Sequence, residues 1–150
     1  AWPARLLAPF RVAESYGLFA VMTRARYEIE FLGTRDGKRW IAYPFRYKPQ
    51  DPYTAPGIYA PYQPRFDWDL WVASLDDVAE WPWVFTVEEK LLAGEPSVLA
   101  LFARDPFAGE RPIAVRAIKW QYWFTTPAEK RATGAWWRRR EIGPYAPAVP

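Results

Sequence analysis

The spacing of apolar residues changes twice along this chain, and that change limits the folds open to it. Between residues 27 and 47, and again between residues 115 and 142, apolar side chains recur at every second position. Between residues 68 and 102 they recur every three or four positions. The first period is that of β-strands and the second that of amphipathic helices. We therefore predict an α+β fold: an antiparallel β-sheet or small β-sandwich from the N- and C-terminal thirds, with a helical insertion in the middle.

A β-hairpin is predicted near the start of this pattern. Glu28 and Glu30 alternate with three apolar residues, so the first strand is expected to be half-buried. The turn ends in Asp36-Gly37, a dipeptide that tolerates positive φ. Pro44 has no amide hydrogen, so the second strand is predicted to lie at an edge or to bulge. The apolar face of that second strand consists of Ile41, Tyr43, Phe45 and Tyr47.

Five prolines between residues 49 and 64 exclude a helix or a central strand there. The segment is predicted to be an extended loop that crosses the body of the protein. Its tyrosines are expected to pack the loop down. They are Tyr53, Tyr59 and Tyr62.

The middle third is predicted to hold three helices. Asp67 is a plausible N-cap for the first. Pro82 is expected at the first position of the second helix and Gly94 just beyond its end, while Pro96 opens a third short helix. The apolar stripe of the first helix is predicted to be Trp68, Trp71, Val72 and Leu75.

The last third returns to strands. Residues 115–124 carry apolar side chains on both faces, which is typical of a central strand covered on both sides. A further strand is predicted from residue 136 to residue 142, after Thr133-Gly134, with Arg138 and Arg140 on the side of Trp136.

The chain contains no histidine, cysteine or asparagine. It therefore lacks the commonest general base near neutral pH, every thiol or thiolate site, and the Ser-His-Asp and Cys-His arrangements. No spacing of carboxylates indicates a metal site. We predict no catalytic residues, no metal site, no cofactor and no enzymatic activity.

The net charge of +3 hides an uneven distribution. Residues 1–66 carry +5, residues 67–110 carry −8, and residues 111–150 carry +6. Either the basic ends meet in space and the acidic middle forms a separate surface, or solvated faces simply differ in sign.

The run Trp136-Trp137-Arg138-Arg139-Arg140 is the best candidate for a binding site. Guanidinium groups stack on indole faces, and Trp and Arg are typical interface anchors, so Trp136, Trp137, Arg138 and Arg140 are predicted to contact a partner. The alternatives are an edge strand protected by arginines and contact with anionic lipid head groups. Nucleic acid is not expected, because the acidic middle opposes phosphate binding.

Two further features have competing interpretations. The block Asp67-Trp68-Asp69-Leu70-Trp71 is explained by a helix cap and a packing stripe, or by Asp67 as a carboxylate that fixes the conformation or contacts a ligand. Ten tryptophans could line a sugar-binding platform, but such sites usually have amides beside the ring, and the chain has only three glutamines. Most indoles are therefore expected in the core.

Six blocks in a fixed order resemble the C-terminal soluble domain of the lipase maturation factor family, over residues 12–149. Those proteins are multi-pass membrane proteins that help secreted lipases fold and assemble. The blocks are Tyr16-Gly17-Leu18-Phe19, Tyr47-Lys48-Pro49, Arg65-Phe66-Asp67-Trp68-Asp69-Leu70-Trp71, Asp105-Pro106-Phe107, Trp136-Trp137-Arg138-Arg139-Arg140 and Ile142-Gly143-Pro144-Tyr145. The positions that match the family signature outside the binding candidate are Tyr16, Gly17, Asp67, Trp68, Trp71, Gly143, Pro144 and Tyr145.

The resemblance implies that residues 1–150 are one soluble domain of a longer membrane protein. Its partners would be a client lipase or other secreted protein and the protein's own upstream membrane domain. The Arg-, Ala- and Pro-rich composition indicates a bacterial homologue, at the cell membrane; animal relatives reside in the endoplasmic reticulum.

Two functional hypotheses follow. A non-catalytic domain that binds a client protein predicts an exposed aromatic or apolar patch. A ligand-binding β-sandwich module, for carbohydrate or a lipid head group, predicts a concave pocket lined by aromatic rings and convergent polar groups.

Overall fold

The computed structural model describes residues 25–58 and 64–150, which form one four-stranded antiparallel sheet with helices. The strands are β1 (Arg26–Thr34), β2 (Trp40–Ala42), β3 (Ala114–Phe124) and β4 (Trp137–Pro144), in the order β2-β1-β3-β4. The helices are α1 (Arg65–Ala73), α2 (Trp83–Leu92), α3 (Pro96–Leu99) and α4 (Pro127–Thr133), with a 310 helix at Val78–Glu80. The α+β prediction is confirmed. The described strands form a single sheet, and the sandwich alternative does not apply to them.

The predicted hairpin is confirmed, with a shorter second strand. β1 and β2 pair antiparallel, Gly37 has a φ of 71°, and Asp36 accepts hydrogen bonds from two backbone amides of the turn. β2 lies at the edge of the sheet and ends two residues before Pro44, as the missing amide hydrogen requires. Beyond Tyr43 the ladder stops, and the ammonium of Lys48 donates to the carbonyl of Ile29.

The expectation that β1 is half-buried is wrong. Ile29 and Phe31 lie in the core on one face, but Glu28 and Glu30 on the other face are buried as well. Residues 43–58, called here the proline-rich loop, cross that end of the sheet and contribute Lys48 and Gln50 to the second face. Alternation identified the two faces correctly but could not show that both are covered.

The first helix forms where predicted, but its buried face differs. The helix runs from Arg65 to Ala73 with Pro64 as N-cap, so Asp67 lies in the first turn and makes no side-chain cap. The buried positions are Asp67, Leu70 and Ala73, whereas Trp68 and Leu75 are exposed. The predicted stripe of Trp68, Trp71, Val72 and Leu75 is therefore wrong. Leu70 and Ala73 belong to the main core, whereas the rings of Trp68 and Trp71 lie together at a cavity.

The boundaries of the next two helices follow the prolines and the glycine. Pro82 is the N-cap of α2, so the helix begins at Trp83, one residue after the predicted start. Gly94 follows the C-cap with a φ of 69°, and Pro96 occupies the start of α3, both as predicted. On α2 the apolar residues Val84, Val87 and Leu91 are buried.

The main core lies between one face of the sheet and the helices. β1 and β3 present Ile29, Phe31, Val115 and Ala117 to it. An aromatic group closes the core at the β2 edge, where the rings of Tyr43 and Phe102 have centroids 5.4 Å apart. Other core members are Phe45, Leu70, Ala73, Val84, Val87, Leu91, Val98, Phe107, Tyr145 and Ala146.

The strands of the last third are also confirmed. β3 is central, between β1 and β4, and is largely covered on both faces. A bulge near Ile142 shifts the register of β4, and Gly143 there has a φ of 141°, which a residue with a side chain adopts only under strain. Beyond Pro144, the backbone amide of Tyr145 donates to Ala117 and its hydroxyl to Ala73.

Some predicted features lie outside the described residues. Tyr16 and Gly17 of the family signature fall there, as do Tyr59 and Tyr62. Tyr53 is described and is exposed, so the expectation that its ring packs the loop down is wrong. The loop is held instead by backbone hydrogen bonds from β4, because the amides of Trp136 and Trp137 both donate to Pro52.

Glu88 is a charged residue in the apolar core. Its carboxyl is buried on α2 near Ala117 of β3, and among residues 25–58 and 64–150 neither of its oxygens has a partner within ordinary hydrogen-bond distance. Burial raises the pKa of Glu88 to about 8, and the nearby Ala117 backbone N–H offsets part of that rise. The folded protein therefore holds this residue mostly protonated at neutral pH.

We predict that Glu88→Gln removes a pH-dependent loss of stability. The unfolded carboxyl titrates near 4.5 and the folded one near 8, so the folded state binds the extra proton between these values. The free energy of unfolding of the wild type falls as the pH rises through that window. Urea unfolding at both ends of the window should show the variant gaining roughly 4 kcal/mol relative to wild type at the upper end. Glu89→Gln, exposed on the same helix, should leave the wild-type slope in place, and an equal slope in both variants would contradict the assignment.

We predict that Tyr145→Phe destabilises the protein by about 1 kcal/mol, the value of one buried hydrogen bond. The Tyr145 hydroxyl donates to the Ala73 carbonyl at 2.7 Å and ties the end of β4 to the end of α1. Chemical unfolding measures the loss. Tyr53→Phe, at an exposed position, is the matched control and should change the free energy of unfolding little.

Candidate functional site

The arginine run of β4 is divided between the two faces of the sheet. Arg138 and Arg140 point to one face and are exposed, while Arg139 points to the other face and is largely buried. The Arg138 side chain is 55% exposed and pairs with Glu129 of α4 at 3.2 Å. The Arg140 guanidinium donates to Gln121 at 3.0 Å. Alternation within a strand explains the division.

The two tryptophans before these arginines also differ from each other. Trp136 is partly buried under the Lys130 ammonium. Trp137 is only 4% exposed, and its indole N–H donates to the Thr54 carbonyl of the proline-rich loop at 3.1 Å. The predicted four-residue platform is therefore incomplete: Trp136, Arg138 and Arg140 are accessible, and Trp137 belongs to the interior. The Phe124 ring stacks on the Trp137 ring with centroids 4.3 Å apart, and Phe124 itself is exposed.

The expectation that most indoles lie in the core is wrong for the described tryptophans. Of those nine, Trp137 alone is buried, Trp68 is exposed, and the other seven are partly exposed. Several carry a cation over the ring, including Arg116 over Trp40 at 4.1 Å and Arg139 over Trp120 at 4.3 Å. The predicted stacking of guanidinium on indole is confirmed, although Arg140 uses Trp123 of β3. The indole ring is large and carries a single polar N–H group, so tryptophan is often partly rather than fully buried.

A group of charged residues lies between the second face of the sheet and the proline-rich loop. We call Glu28, Glu30, Lys48, Tyr122 and Arg139 the carboxylate cluster. Lys48 approaches Glu28 at 3.2 Å. Glu30 accepts hydrogen bonds from the Tyr122 hydroxyl at 2.7 Å and from Arg139 at 2.8 Å. The same Arg139 nitrogen donates to the backbone carbonyl of Gln50 at 2.9 Å, so the cluster joins β1, β3, β4 and the loop.

The pKa values in the cluster reflect burial. Burial raises the pKa of Glu30, while the Tyr122 hydroxyl and the Arg139 charge act in the opposite direction. Burial also raises the pKa of Tyr122, and the neighbouring Glu30 charge adds to that rise. Tyr122 is thus a hydrogen-bond donor at all physiological pH values. The two carboxylates are thus paired with cations or hydrogen-bonded within the cluster. This arrangement is typical of a structural network.

Beside the cluster lies a cavity of about 650 Å³. Three of the blocks singled out in the sequence meet at its wall. Tyr47-Lys48-Pro49 comes from the proline-rich loop, Asp67, Trp68 and Trp71 come from α1, and Trp137 comes from β4. The Trp68 and Trp71 rings lie together with centroids 5.0 Å apart. The cavity is concave, aromatic and partly polar, as the ligand-binding hypothesis requires.

Asp67 is the buried carboxylate of this wall. The residue is 6% exposed, and its Oδ1 accepts a hydrogen bond from the Lys48 backbone amide at 3.3 Å. Across residues 25–58 and 64–150 no partner is found for its Oδ2. Burial raises the pKa of Asp67, and the Lys48 charge lowers it. Asp67 thus contacts the proline-rich loop through Oδ1, while Oδ2 has no partner among the described residues.

Sequence reasoning missed Arg139, Lys48 and Gln50 as organising residues. Two of these residues lie in blocks that the sequence singles out: Lys48 in Tyr47-Lys48-Pro49 and Arg139 in the middle of the arginine run. What the sequence lacked was a sign that Glu28 and Glu30 are buried and need countercharges. In the part of the chain that the structure describes, no cluster of carboxylates is arranged to hold a metal ion. None of the helices in the same ranges is long and apolar enough to cross a membrane.

Comparison with known proteins identifies the family in which the six sequence blocks occur. A model of the lipase maturation factor C-terminal domain matches residues 12–147 of this chain. The chain belongs to the lipase maturation factor family. The match includes all six blocks on which the resemblance was based.

Individual relatives support the assignment. The chain is 39% identical to lipase maturation factor 2 of Gallus gallus over 147 residues, covering 93% of the chain and 21% of the relative. It is 37% identical to lipase maturation factor 1 of Mus musculus over 149 residues, covering 94% and 26% respectively. For lipase maturation factor 2 of Homo sapiens the identity is 38% over 145 residues, covering 93% and 20%. The chain thus spans about a fifth to a quarter of these relatives, and no solved structure matches it.

We predict very different results from removing adjacent arginines of β4. Arg139→Ala leaves Glu30 buried without its countercharge, and the free energy of unfolding should fall by roughly 3–5 kcal/mol. Arg138→Ala breaks an exposed ion pair and should cost less than about 1 kcal/mol. Denaturant unfolding of both variants measures the difference. Equal losses would show that Arg139 does not neutralise Glu30.

Proposed function

We propose that this chain is a non-catalytic, extramembrane domain that assists the maturation of secreted lipases or similar clients by direct protein contact. Membership of the lipase maturation factor family is the observation that carries the proposal. The lack of histidine and cysteine supports a non-catalytic role, because the usual nucleophile and base pairs cannot be formed.

The proposed contact surface lies at the start of β4. Trp136 and Arg138 are accessible there, and partly exposed Trp123 of β3 lies beside them, since it pairs with Arg138. Exposed aromatic rings together with arginine are typical of residues that anchor protein interfaces. The surface also includes Arg140, whose outward position leaves it available to a partner.

The membrane context belongs to the same proposal. The domain would be carried by an upstream membrane domain, at the cell membrane in a bacterium or in the endoplasmic reticulum in animals. Arg138 and Arg140 lie on one face of an edge strand and could contact anionic lipid head groups there. Such contact would place the client surface near the membrane.

A second candidate function is supported by the cavity between the proline-rich loop and α1. Its volume lies within the range usual for small-molecule sites. Aromatic rings and a buried carboxylate converge on it, as expected for a module that binds carbohydrate or a lipid head group. The two functions are compatible, because the cavity and the Trp136–Arg138 surface are separate parts of the protein.

We predict that the purified chain binds a denatured secreted lipase and raises the recovery of lipase activity after dilution from denaturant. The double variant Trp136→Ala/Arg138→Ala should lose at least about three-quarters of both effects, since interface energy concentrates in such residues. Binding is measured by co-sedimentation and recovery by hydrolysis of a soluble ester.

The matched control is Arg39→Ala/Trp40→Ala, an arginine and a tryptophan at the opposite edge of the sheet. Circular dichroism and unfolding must show that both double variants are folded. Loss in the β4 variant with retention in the β2 variant would support the proposal. No recovery with the wild type, or equal loss in both variants, would contradict it.

A further inference from the structure

The cavity described above offers a ligand two aromatic pairs on its wall. Trp68 and Trp71 of α1 form one, and Phe124 and Trp137 form the other. Trp68 remains 42% exposed although it is an indole on a helix that packs against the sheet. Exposed ring faces of this kind favour a ligand with an apolar surface of its own.

The cations on the cavity wall are already engaged. Lys48 pairs with Glu28 and donates to the Ile29 carbonyl. Arg26 pairs with Glu28 at 2.7 Å, and Arg46 donates to the Phe102 carbonyl at 2.7 Å. An anionic ligand such as a phosphate would have to compete with these contacts, so the wall is poorly suited to an acceptor-only group.

The group left open on the wall is an acceptor. Among residues 25–58 and 64–150, no partner is found for the Asp67 Oδ2. Both oxygens of Asp51 accept hydrogen bonds within the loop, from the Tyr53 amide and the Thr54 hydroxyl. The amide of Gln50 is occupied at both ends, by the Phe45 amide and the Tyr43 carbonyl. A ligand that contacts Asp67 therefore donates a hydrogen bond. We expect it to be neutral, because the cations of the wall are already engaged and the Lys48 charge already acts on Asp67.

We infer that this cavity binds a neutral, hydroxyl-rich sugar ring, with an apolar face of the ring on Trp68 and a hydroxyl donating to Asp67. A pyranose has hydroxyl groups that can donate to Asp67 and C–H faces that can pack on an indole ring. The wall therefore offers a partner for each of these two features. This inference rests on the second proposed function and selects carbohydrate over a lipid head group as the ligand class. Client binding through Trp136 and Arg138 does not depend on it.

The test is titration of the folded chain with four probes, in which binding is monitored by tryptophan fluorescence and by amide chemical shifts. The probes are methyl β-D-galactopyranoside and methyl α-D-mannopyranoside as neutral sugars, glycerol 3-phosphate as the anion, and N-acetyl-arginine amide as the cation. We expect saturable millimolar binding of at least one methyl glycoside. It should not change with salt, because no charge is neutralised.

Three variants locate the site. Trp68→Ala removes an exposed ring and should weaken sugar binding about tenfold. Asp67→Asn replaces the carboxylate acceptor with a nearly isosteric amide and should also weaken sugar binding. Trp136→Ala, whose ring lies outside the cavity, should bind as the wild type does.

Several results would overturn the inference. They are saturable binding of glycerol 3-phosphate or of the arginine amide in place of the glycosides, no response to either glycoside from folded protein, and sugar binding that Trp68→Ala leaves unchanged. If the glycosides fail while lipase recovery still depends on Trp136 and Arg138, the sugar site is refuted and the client-binding function stands. If binding moves to glycerol 3-phosphate, the cavity is a head-group site.

Discussion

Two glutamates on the second face of β1 have to be neutralised inside the protein, and much of the surrounding structure follows from that requirement. Glu28 pairs with Lys48 of the proline-rich loop, and Glu30 pairs with Arg139 of β4. An unpaired carboxylate buried at this depth would destabilise the folded state by several kcal/mol. Folding therefore requires both ion pairs. Through them the proline-rich loop is held against β1 and β4, in addition to the core packing of Tyr43 and Phe45. The loop in turn gives the sheet its second covered face.

The cavity is a consequence of the same attachment. Lys48 is held by Glu28, and its backbone amide meets Asp67 on α1, so the loop and the helix are fixed on either side of a gap. Leu70 and Ala73 of α1 are buried in the core, and the indoles of Trp68 and Trp71 are left at the cavity. A structural network and a candidate binding site therefore share residues, and a variant in one must be checked for its effect on the other.

Local signals predicted the elements well, because strands, turns and helix ends depend on neighbouring residues. Pro44, Pro82, Gly94 and Pro96 placed their boundaries within two residues. The errors concern what lies against each element. The stripe on α1 was assigned from the spacing of apolar residues, whereas the residues that the fold buries there are Asp67, Leu70 and Ala73. The platform on β4 was expected to expose Trp137, which instead lies beneath Phe124 and the loop.

The sequence by itself determined the α+β plan, the hairpin, the helix limits and the family, since each depends on short-range pattern or on blocks preserved in order. Tertiary structure alone decided which residues of those blocks meet. Alternation assigns Arg139 and Arg138 to opposite faces but does not say which face is covered. That choice depends on Glu30, 109 positions away in the chain, and on a loop that reaches both. Burial of a charge is a property of the assembled fold, because only contacts distant in sequence can remove water from it.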